Sequence, residues 1–304
     1  MGVQKQRASG EDPEAAENDR RKAMNLDSLL TAAVLITAFY IIFFIGKLVN
    51  SLIHREYNLT YELVERDNPA LALAVGGYYF GLVLAIGGAL SGPGLGIVDD
   101  LIDLFLYGFL SIILLNISWL LCDRIILYKF KSSEELIRDQ NPGTGVVIFG
   151  ICVASGLVIF GSVTGEGGNI WTATAFWGIG QIMLMLAGRV YSLIVPYSIH
   201  EEIEKDNIAA GVSFAGALVA MGVIVGFAAS RDFHSWADDL PAFAMISLSG
   251  LAMLPLVRFL TDLILLPTVK LTDEIARQEK PNVGAAYIEA LSYIGAAFVI
   301  RWCF

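Results

Sequence analysis

The sequence predicts an all-α, polytopic membrane protein with eight transmembrane helices arranged as four parallel two-helix repeats. Of its 304 residues, 56% are hydrophobic and 16% are charged, whereas soluble domains carry about 25% charged residues. Eight apolar runs are long enough to cross a bilayer as helices, which takes about 20 residues. An asparagine recurs at the start of every second run, and such recurrence at a long period indicates an internal repeat.

The eight runs define the predicted helices in order. They cover residues 29–53, 70–90, 101–127, 143–163, 171–195, 208–229, 241–266 and 283–302. A membrane β-barrel would instead show alternating strands of about ten residues. Residues 1–25 form a hydrophilic tail without the apolar core of a signal peptide, and Met24 offers an alternative translation start.

Composition also excludes several classes of protein. A net charge of −10 and the lack of a basic patch argue against a nucleic-acid partner. Cys122, Cys152 and Cys303 are odd in number and show no metal-ligand spacing, so we interpret them as reduced packing residues. The sequence therefore predicts no metal and no cofactor, and the lipid bilayer is the first expected partner.

The repeated unit is a long helix, an acidic connector, an asparagine and a helix rich in glycine and alanine. The asparagines are Asn68, Asn141, Asn207 and Asn282, spaced 73, 66 and 75 residues apart. An acidic–apolar pair precedes each of them: Glu62-Leu63, Glu135-Leu136, Glu202-Ile203 and Glu274-Ile275. Because each unit crosses the membrane twice, all four units start from the same side and the repeats are parallel.

Charge separates the units into two kinds. The long helices of the first and third units carry Lys47 and Arg189 near their ends, whereas those of the second and fourth carry Asp123 and Asp262. This alternation predicts two fused four-helix modules, residues 26–163 and 170–304.

The stretch DNIAAGVSFAGALVAMGVIVGFAAS and its counterpart after Asn68 resemble the second and fourth helices of the bacterial family called domain of unknown function 350. Members of that family typically have four membrane helices, so the chain resembles a tandem duplication. The resemblance implies a location in the bacterial inner membrane and implies no activity. The last repeat departs most from the pattern, with Lys280-Pro281 before Asn282 and Glu289 inside the helix.

Basic residues predict the topology, since short loops rich in Lys and Arg stay in the cytoplasm. The connectors hold ten basic residues and the loops on the other side hold only Arg231. We therefore expect cytoplasmic connectors and both termini outside. Arg20, Arg21 and Lys22, just before the first helix, argue for the opposite orientation.

The asparagines have a structural interpretation as helix N-caps, supported by the prolines that follow Asn68 and Asn141. The functional alternative is a ring of four helix N-termini that binds an anion, which the acidic connectors disfavour. Glycines at helical spacing, such as Gly77 with Gly81 and Gly222 with Gly226, indicate close packing of these helices at the centre of the bundle.

Polar and charged groups within the apolar runs are the candidate functional residues. They are Lys47, Asn116, Asp123, Gln181, Arg189, Arg258, Asp262 and Glu289. Lys47, Asp123, Arg189 and Asp262 lie near the connector ends, where they act either as interfacial anchors or as pairs between units.

Two of these residues lie deeper. Glu289 is roughly 10 Å and Arg258 roughly 13 Å in from the connector side at helical rise. Their matching depths predict an ion pair, with Asp262 as a candidate third member. A buried pair of this kind cancels two insertion costs, and a titratable carboxylate in a membrane bundle is also where proton or cation relays are built.

The sequence predicts no enzymatic activity and no catalytic residue. His54, His200 and His234 fall in or beside loops, and Glu204 occupies the place of the second histidine in a zinc H-E-x-x-H motif. Two functions remain. The first is a structural or signalling membrane component, oligomeric or bound to a membrane partner, whose acidic connectors dock that partner. The alternative is a channel or transporter for a small cation or solute that uses the intramembrane charges.

Overall fold

The computed structural model describes residues 13–92, 94, 96–129 and 131–304, with side chains from residue 27 onward. Helices make up 81% of the described residues, and this part of the chain contains no strand. The α-helices are α1 (Pro13–Ile53), α2 (Pro69–Gly88), α3 (Ile97–Ile126), α4 (Ser132–Ile137), α5 (Pro142–Thr164), α6 (Ile170–Ile194), α7 (Ile199–Glu204), α8 (Ile208–Ala229), α9 (Trp236–Leu260) and α10 (Val283–Cys303). Three short π-helical turns, Tyr61–Glu65, Thr261–Leu265 and Asp273–Arg277, complete the described helical structure.

The predicted eight membrane spans are confirmed. Eight of the described helices are long and apolar enough to cross a bilayer, and each matches one predicted run to within a few residues. α1 begins at Pro13, so half of the predicted N-terminal tail continues the first helix. Residues 1–12 lie outside the described part of the chain.

The eight long helices form two layers. The second helices of the four units, α2, α5, α8 and α10, pack side by side in a row, and we call them the inner helices. The first helices of the units, α1, α3, α6 and α9, form the outer helices. From α3 onward, each outer helix lies against two inner helices, that of its own unit and that of the preceding unit.

Small residues explain why the inner helices lie so close together. A Cβ on Gly77 would overlap the backbone of Phe149 in α5, and one on Gly161 would overlap the carbonyl of Gly226 in α8. Lipid tails provide no hydrophobic force between helices, so close backbone packing must hold them. The prediction that these helices lie at the centre holds best for α8, where 89% of the most apolar segment is buried.

The row of inner helices is open. α5 packs on α2 and α8, and α8 packs on α5 and α10, so α2 and α10 form the two ends. The four helix N-termini therefore lie along a line, and the ring considered from the sequence is not formed.

Four connectors lie together at one face of the bundle. They comprise residues 54–68, 127–141, 195–207 and 266–282, and we call them the connector layer. Each includes a short helix or a π-helical turn, and in the last three the apolar side is buried, as shown by Leu136, Ile203 and Ile275. The loops between units lie at the opposite face.

Candidate functional site

Each of the four repeated asparagines caps an inner helix. The Oδ1 atom of Asn68 accepts a hydrogen bond from the Leu71 amide at 3.0 Å, and Asn141 does the same for Thr144 at 3.1 Å. Asn207 and Asn282 cap their helices in the same way. The capping interpretation of the sequence is confirmed at all four positions.

The amide nitrogen of each asparagine makes a second set of bonds within its own unit. Nδ2 donates to the connector glutamate at distances of 2.8–3.1 Å, in the pairs Asn68–Glu62, Asn141–Glu135, Asn207–Glu202 and Asn282–Glu274. The asparagine backbone amide also donates to the carbonyl of the same glutamate in every unit. The connector is thereby held against the helix that follows it.

The same nitrogen also joins neighbouring units. Nδ2 of Asn68 donates to the carbonyl of Leu136 in the second connector at 2.8 Å. Asn141 reaches the Ile203 carbonyl at 2.6 Å, and Asn207 reaches the Ile275 carbonyl at 2.8 Å. We call this arrangement the asparagine latch: one side chain caps its helix, binds its own connector and binds the next connector.

The fourth unit reaches its capping asparagine by a different path. Asp67, Gln140 and Asp206, which precede the first three asparagines, have φ values of 48°, 52° and 60°, in the left-handed region that few non-glycine residues adopt. Pro281 precedes Asn282, and its ring fixes φ near −65°. In the fourth connector the asparagine follows its glutamate by eight positions, against five or six in the other units.

The deepest charges form a buried ion pair, as their matching depths predicted. The Arg258 guanidinium on α9 donates to the Glu289 carboxylate on α10. Arg258 is 5% exposed and Glu289 is 0% exposed. Arg258 also donates to the Thr272 hydroxyl in the connector at 3.2 Å. The pair therefore ties both helices of the last unit to its connector.

Tyrosines surround this pair. The Tyr293 hydroxyl, one turn along α10, donates to Glu289 Oε1 at 3.3 Å, and the Tyr191 hydroxyl from α6 lies 3.5 Å from the same oxygen. Glu289 Oε2 has no hydrogen-bond partner in the described structure. Burial, and then the nearby Glu289 charge, raise the pKa of Tyr197, just outside the membrane, to about 12.

Asp262 does not join the pair, which corrects the expectation of a third member. Its Oδ1 accepts from the Leu271 amide at 2.7 Å, nine residues along. Asp123 Oδ1 also accepts from a residue nine positions along, but the donor there is the Ser132 side-chain hydroxyl. Both aspartates therefore hold the start of their own connectors.

Lys47 and Arg189 are exposed, and among the described residues neither forms an ion pair with Asp123 or Asp262. The alternative of ion pairs between units is therefore not formed in the described structure. The Arg189 guanidinium instead lies 5.0 Å from the centre of the Tyr128 ring, a cation–π geometry. Both basic side chains can extend towards the interface, as the anchor interpretation requires.

The two amide candidates join helices. Asn116 Nδ2 on α3 donates to the Tyr78 hydroxyl at 2.9 Å, and Tyr78 donates to the Gly46 carbonyl on α1 at 3.1 Å. Gln181 Oε1 on α6 accepts from Ser155 on α5 at 3.3 Å and lies 3.7 Å from the Cys122 sulfur on α3. These bonds connect three helices in each case.

An open cavity of about 840 Å³ lies where α1 and α3 meet the connector layer. Its polar lining includes His54, Asn116, Asp123, Arg124 and Ser132. No group of three or more His, Cys, Asp or Glu residues in the described chain is placed to hold a metal. Cys122, Cys152 and Cys303 are free thiols. Cys303 is exposed, which corrects its assignment as a packing residue.

Burial and charge shift two groups of the connector layer. Burial, together with the nearby acids Asp139, Glu204 and Asp206, raises the pKa of Glu135 against the opposing bond from Asn141. Burial lowers the pKa of His200, whose Nε2 lies 2.7 Å from the Ile126 carbonyl. His200 belongs to α7, which Ser198 caps, so the H-E-x-x segment starts a connector helix.

Sequence reasoning missed the partners of the asparagine amides and the tyrosines around Glu289. In the first three units the connector glutamate lies five or six residues before the asparagine, which is a usable signal. Tyr293 is four residues after Glu289 and therefore on the same helix face. Tyr191 and Tyr197 come from the third unit, and no local pattern links them to Glu289.

Comparison with known proteins places these features in one family. The family model described as Domain of Unknown Function (DUF350) matches twice, over residues 24–163 and 167–304. A protein named UPF0719 transmembrane protein, from Aquifex aeolicus (strain VF5), is 24% identical over 270 residues, which are 87% of this chain and 96% of that protein. No solved structure matches the chain.

Proposed function

Because the chain belongs to the DUF350 family, we propose that it is a non-enzymatic structural or signalling component of the bacterial inner membrane that presents its connector layer to a partner. The observation that carries this proposal is the asparagine latch. Three latches bind each connector to the next at 2.6–2.8 Å, so the connectors form one continuous layer. A layer fixed in this way is suited to binding, since little ordering is needed when a partner docks.

The polar groups inside the membrane segments support a structural role. Asn116, Gln181 and the Arg258–Glu289 pair each bind side chains on neighbouring helices. Such bonds hold helices together in lipid.

We assign the connector layer to the cytoplasm and both termini to the outside. Ten basic residues on the connector side against Arg231 on the other support this orientation. A phosphatase that is active only outside the cytoplasm, fused to the C-terminus, is then expected to be active. Inactive fusions at both the C-terminus and the loop near residue 231, beside an active fusion in a connector, would reverse the assignment.

The partner we infer carries a basic surface. The connector layer holds fourteen acidic and nine basic residues, and the tenth basic residue on this side is Arg124 at the end of α3. Glu201, Glu204 and Asp206 are exposed together on the third connector. Opposite charges steer such partners together and fix their register.

A photo-crosslinking side chain at Glu204 tests this surface in cells. We expect a discrete adduct that disappears when Glu201 and Asp206 are both changed to Lys. A crosslinker at Arg231, on the opposite face, is the matched control. Adducts that survive the charge reversal, or that form equally at residue 231, would contradict a basic partner.

A channel or transporter for a small cation or solute is the second candidate, and Glu289 is the observation that favours it. This carboxylate is 0% exposed, keeps Oε2 without a partner and lies beside tyrosine hydroxyls. Hydrogen-bonded chains of this composition can relay protons or coordinate cations.

Flux measurements in liposomes separate the two candidates. For a structural component, we expect proton, sodium and potassium fluxes equal to those of protein-free liposomes. Transport would be established instead by a flux that is lost in Glu289→Gln. The same flux should remain in the control Ser292→Ala on the same helix.

A further inference from the structure

The interface between inner helices is built three times by one rule. Positions are counted from the capping asparagine of each helix. The glycine at position nine packs on the backbone at position eight of the next helix, in the pairs Gly77–Phe149, Gly150–Ala215 and Gly216–Ala290. Each helix therefore has one face for the unit before it and another for the unit after it.

A second contact repeats at greater depth. The glycine at position fifteen packs on the backbone at position thirteen of the preceding helix. It occurs in the pairs Gly156–Gly81 and Gly222–Ala154. The interface therefore has a direction along the row. The face that a helix turns to the preceding unit uses different positions from the face that it turns to the following unit.

At the ends of the row the same positions are uncovered. On α2, Gly76 is position eight and Val83 is position fifteen. Both are exposed, and no atom lies within 4 Å of a Cβ built on Gly76. On α10, Leu291 is position nine and Gly295 is position thirteen. Leu291 is 63% exposed, and a Cβ on Gly295 would also meet nothing within 4 Å.

The connector layer is also unfinished at both ends. Asn68, Asn141 and Asn207 are 1%, 0% and 3% exposed because the next connector covers them, whereas Asn282 is exposed. In the described structure, Nδ2 of Asn282 donates to Glu274 and to no following connector. The equivalent acceptor in the first connector is the carbonyl of Leu63, which no preceding asparagine reaches.

The outer helix α1 lacks the preceding inner helix that its counterparts have. In the most apolar segment of α1, 17% of the residues are buried, against 44%, 44% and 39% in α3, α6 and α9. A second copy whose α10 packed beside α2 would bring α1 the neighbour that the other outer helices have within the chain.

We propose that a second copy of this chain docks head to tail, with the α2 face of one copy on the α10 face of the next. Both helices begin on the connector side, so the two copies share one orientation in the membrane. Asn282 of one copy then latches onto the Leu63 carbonyl of the next. The argument rests on continuity with an interface that the chain already builds three times, and it is independent of the proposed function. A heterologous contact of this kind closes into a ring or extends as a line.

Cysteine crosslinking in native membranes tests the contact. The variant carries Val83→Cys and Gly295→Cys, together with Cys303→Ser to remove the exposed thiol. The two new cysteines stand at positions fifteen and thirteen. At these positions the inner helices within one chain lie close enough for a disulfide. Oxidation is expected to link most of the protein into dimers and larger products. When copies that each carry only one of the two changes are mixed, only mixed dimers should form.

Three outcomes would overturn the proposal. The first is crosslinking of Gly295→Cys alone, which would indicate a symmetric contact between α10 helices. The second is equal crosslinking when Val83→Cys is replaced by Ile113→Cys, an exposed position on α3. A chain that stays monomeric under all conditions would also refute it.

A steric block gives an independent measurement. Gly76→Trp adds a large side chain where the monomer has open space, so folding should be preserved while the crosslink is lost at least tenfold. Gly178→Trp, at an equally open glycine on α6, should leave the crosslink intact. Crosslinking that persists in the Gly76→Trp variant would contradict the docking face.

Discussion

At the scale of single residues, the asparagine latch explains why the repeated residue is asparagine. Serine, threonine and aspartate cap helices about as well, but they lack a side-chain amide. Nδ2 of Asn141 donates to a carboxylate and to a carbonyl at once, while Oδ1 accepts from the helix. Among residues that cap helices well, asparagine alone provides an acceptor and two donors together.

The variant Asn207→Asp isolates the donor half of the latch. It keeps the capping oxygen but loses two donated bonds and places a second carboxylate beside Glu202. We expect a loss of about 2–3 kcal/mol in the free energy of unfolding, measured by denaturant titration in detergent. Asn169 caps α6 and its side chain only accepts. Asn169→Asp should therefore change stability by less than about 0.5 kcal/mol, and equal losses in the two variants would contradict the latch.

Glu135 gives the connector layer a pH dependence of known sign. Because its pKa is raised on folding, its contribution to stability is fully present at pH values below the unfolded pKa and is lost as the pH rises through the folded pKa. Glu135→Gln removes the free-energy cost of ionising this partly buried carboxyl group, and it keeps an acceptor for Asn141. The melting temperature of Glu135→Gln relative to the unmodified chain should therefore be higher at pH 7 than at pH 4. A constant difference across that range would contradict the assignment.

Sequence alone could predict the acceptor half of each latch, since capping depends on the first turn of one helix. It could not predict that Nδ2 of Asn68 reaches Leu136, because that bond depends on how two units pack. The Arg258–Glu289 pair was predictable because both depths follow from helical rise. The role of Asp262 was not, since it depends on the backbone of Leu271 nine residues away.

At the scale of secondary-structure elements, glycine position decides how closely two inner helices approach. Gly156 lies against the backbone of Gly81, whereas Gly178 faces open space. Gly156→Ala should therefore destabilise the chain by about 1–3 kcal/mol through overpacking. Gly178→Ala should be neutral or stabilising by up to about 1 kcal/mol, as alanine favours helix. Thermal unfolding of both variants provides the measurement, and equal effects would refute the packing argument.

The ion pair connects α9 to α10, and its variants should not be additive. Arg258→Met or Glu289→Met alone leaves a buried charge without its counter-charge and should cost about 3–5 kcal/mol. Changing Arg258 and Glu289 together to Met removes both charges, and stability should return to near that of the unmodified chain. A double-mutant cycle by denaturant titration measures this coupling. A coupling near zero would mean that the pair contributes little to the fold.

The limits of the eight spans could be predicted from the length of the apolar runs in the sequence. The π-helical turns could not. The turns at Tyr61–Glu65, Thr261–Leu265 and Asp273–Arg277 lie at or within the connectors, where the chain must meet its latch. A π-helical turn arises when tertiary bonds pull the backbone away from the regular α-helical pattern, and residue preference does not encode it.

At the scale of the whole molecule, the spacing of the asparagines predicted four parallel units, and the structure arranges them as an open row. The step from the second unit to the third crosses the module boundary but uses the same contacts as the steps within a module, as Gly150–Ala215 repeats Gly77–Phe149. The boundary between modules is therefore a boundary in sequence, while packing continues across it.

Two separately expressed halves should reassemble for this reason. Residues 1–166 and 167–304, produced together, are expected to co-purify, because each half starts on the same side of the membrane and α5 packs extensively on α8. Gly161→Leu, which would collide with the Gly226 carbonyl, should abolish the co-purification. Halves that separate without this change would show that the covalent linkage is required.

The burial of Arg258 against Glu289 also constrains the order of biosynthesis. α9 leaves the ribosome first, and its guanidinium faces lipid at a cost on the order of 2.5–3.5 kcal/mol until the carboxylate 31 residues later has been made. The nascent chain must therefore keep α9 beside the translocon until α10 arrives, so that the last hairpin enters the bilayer as a pair.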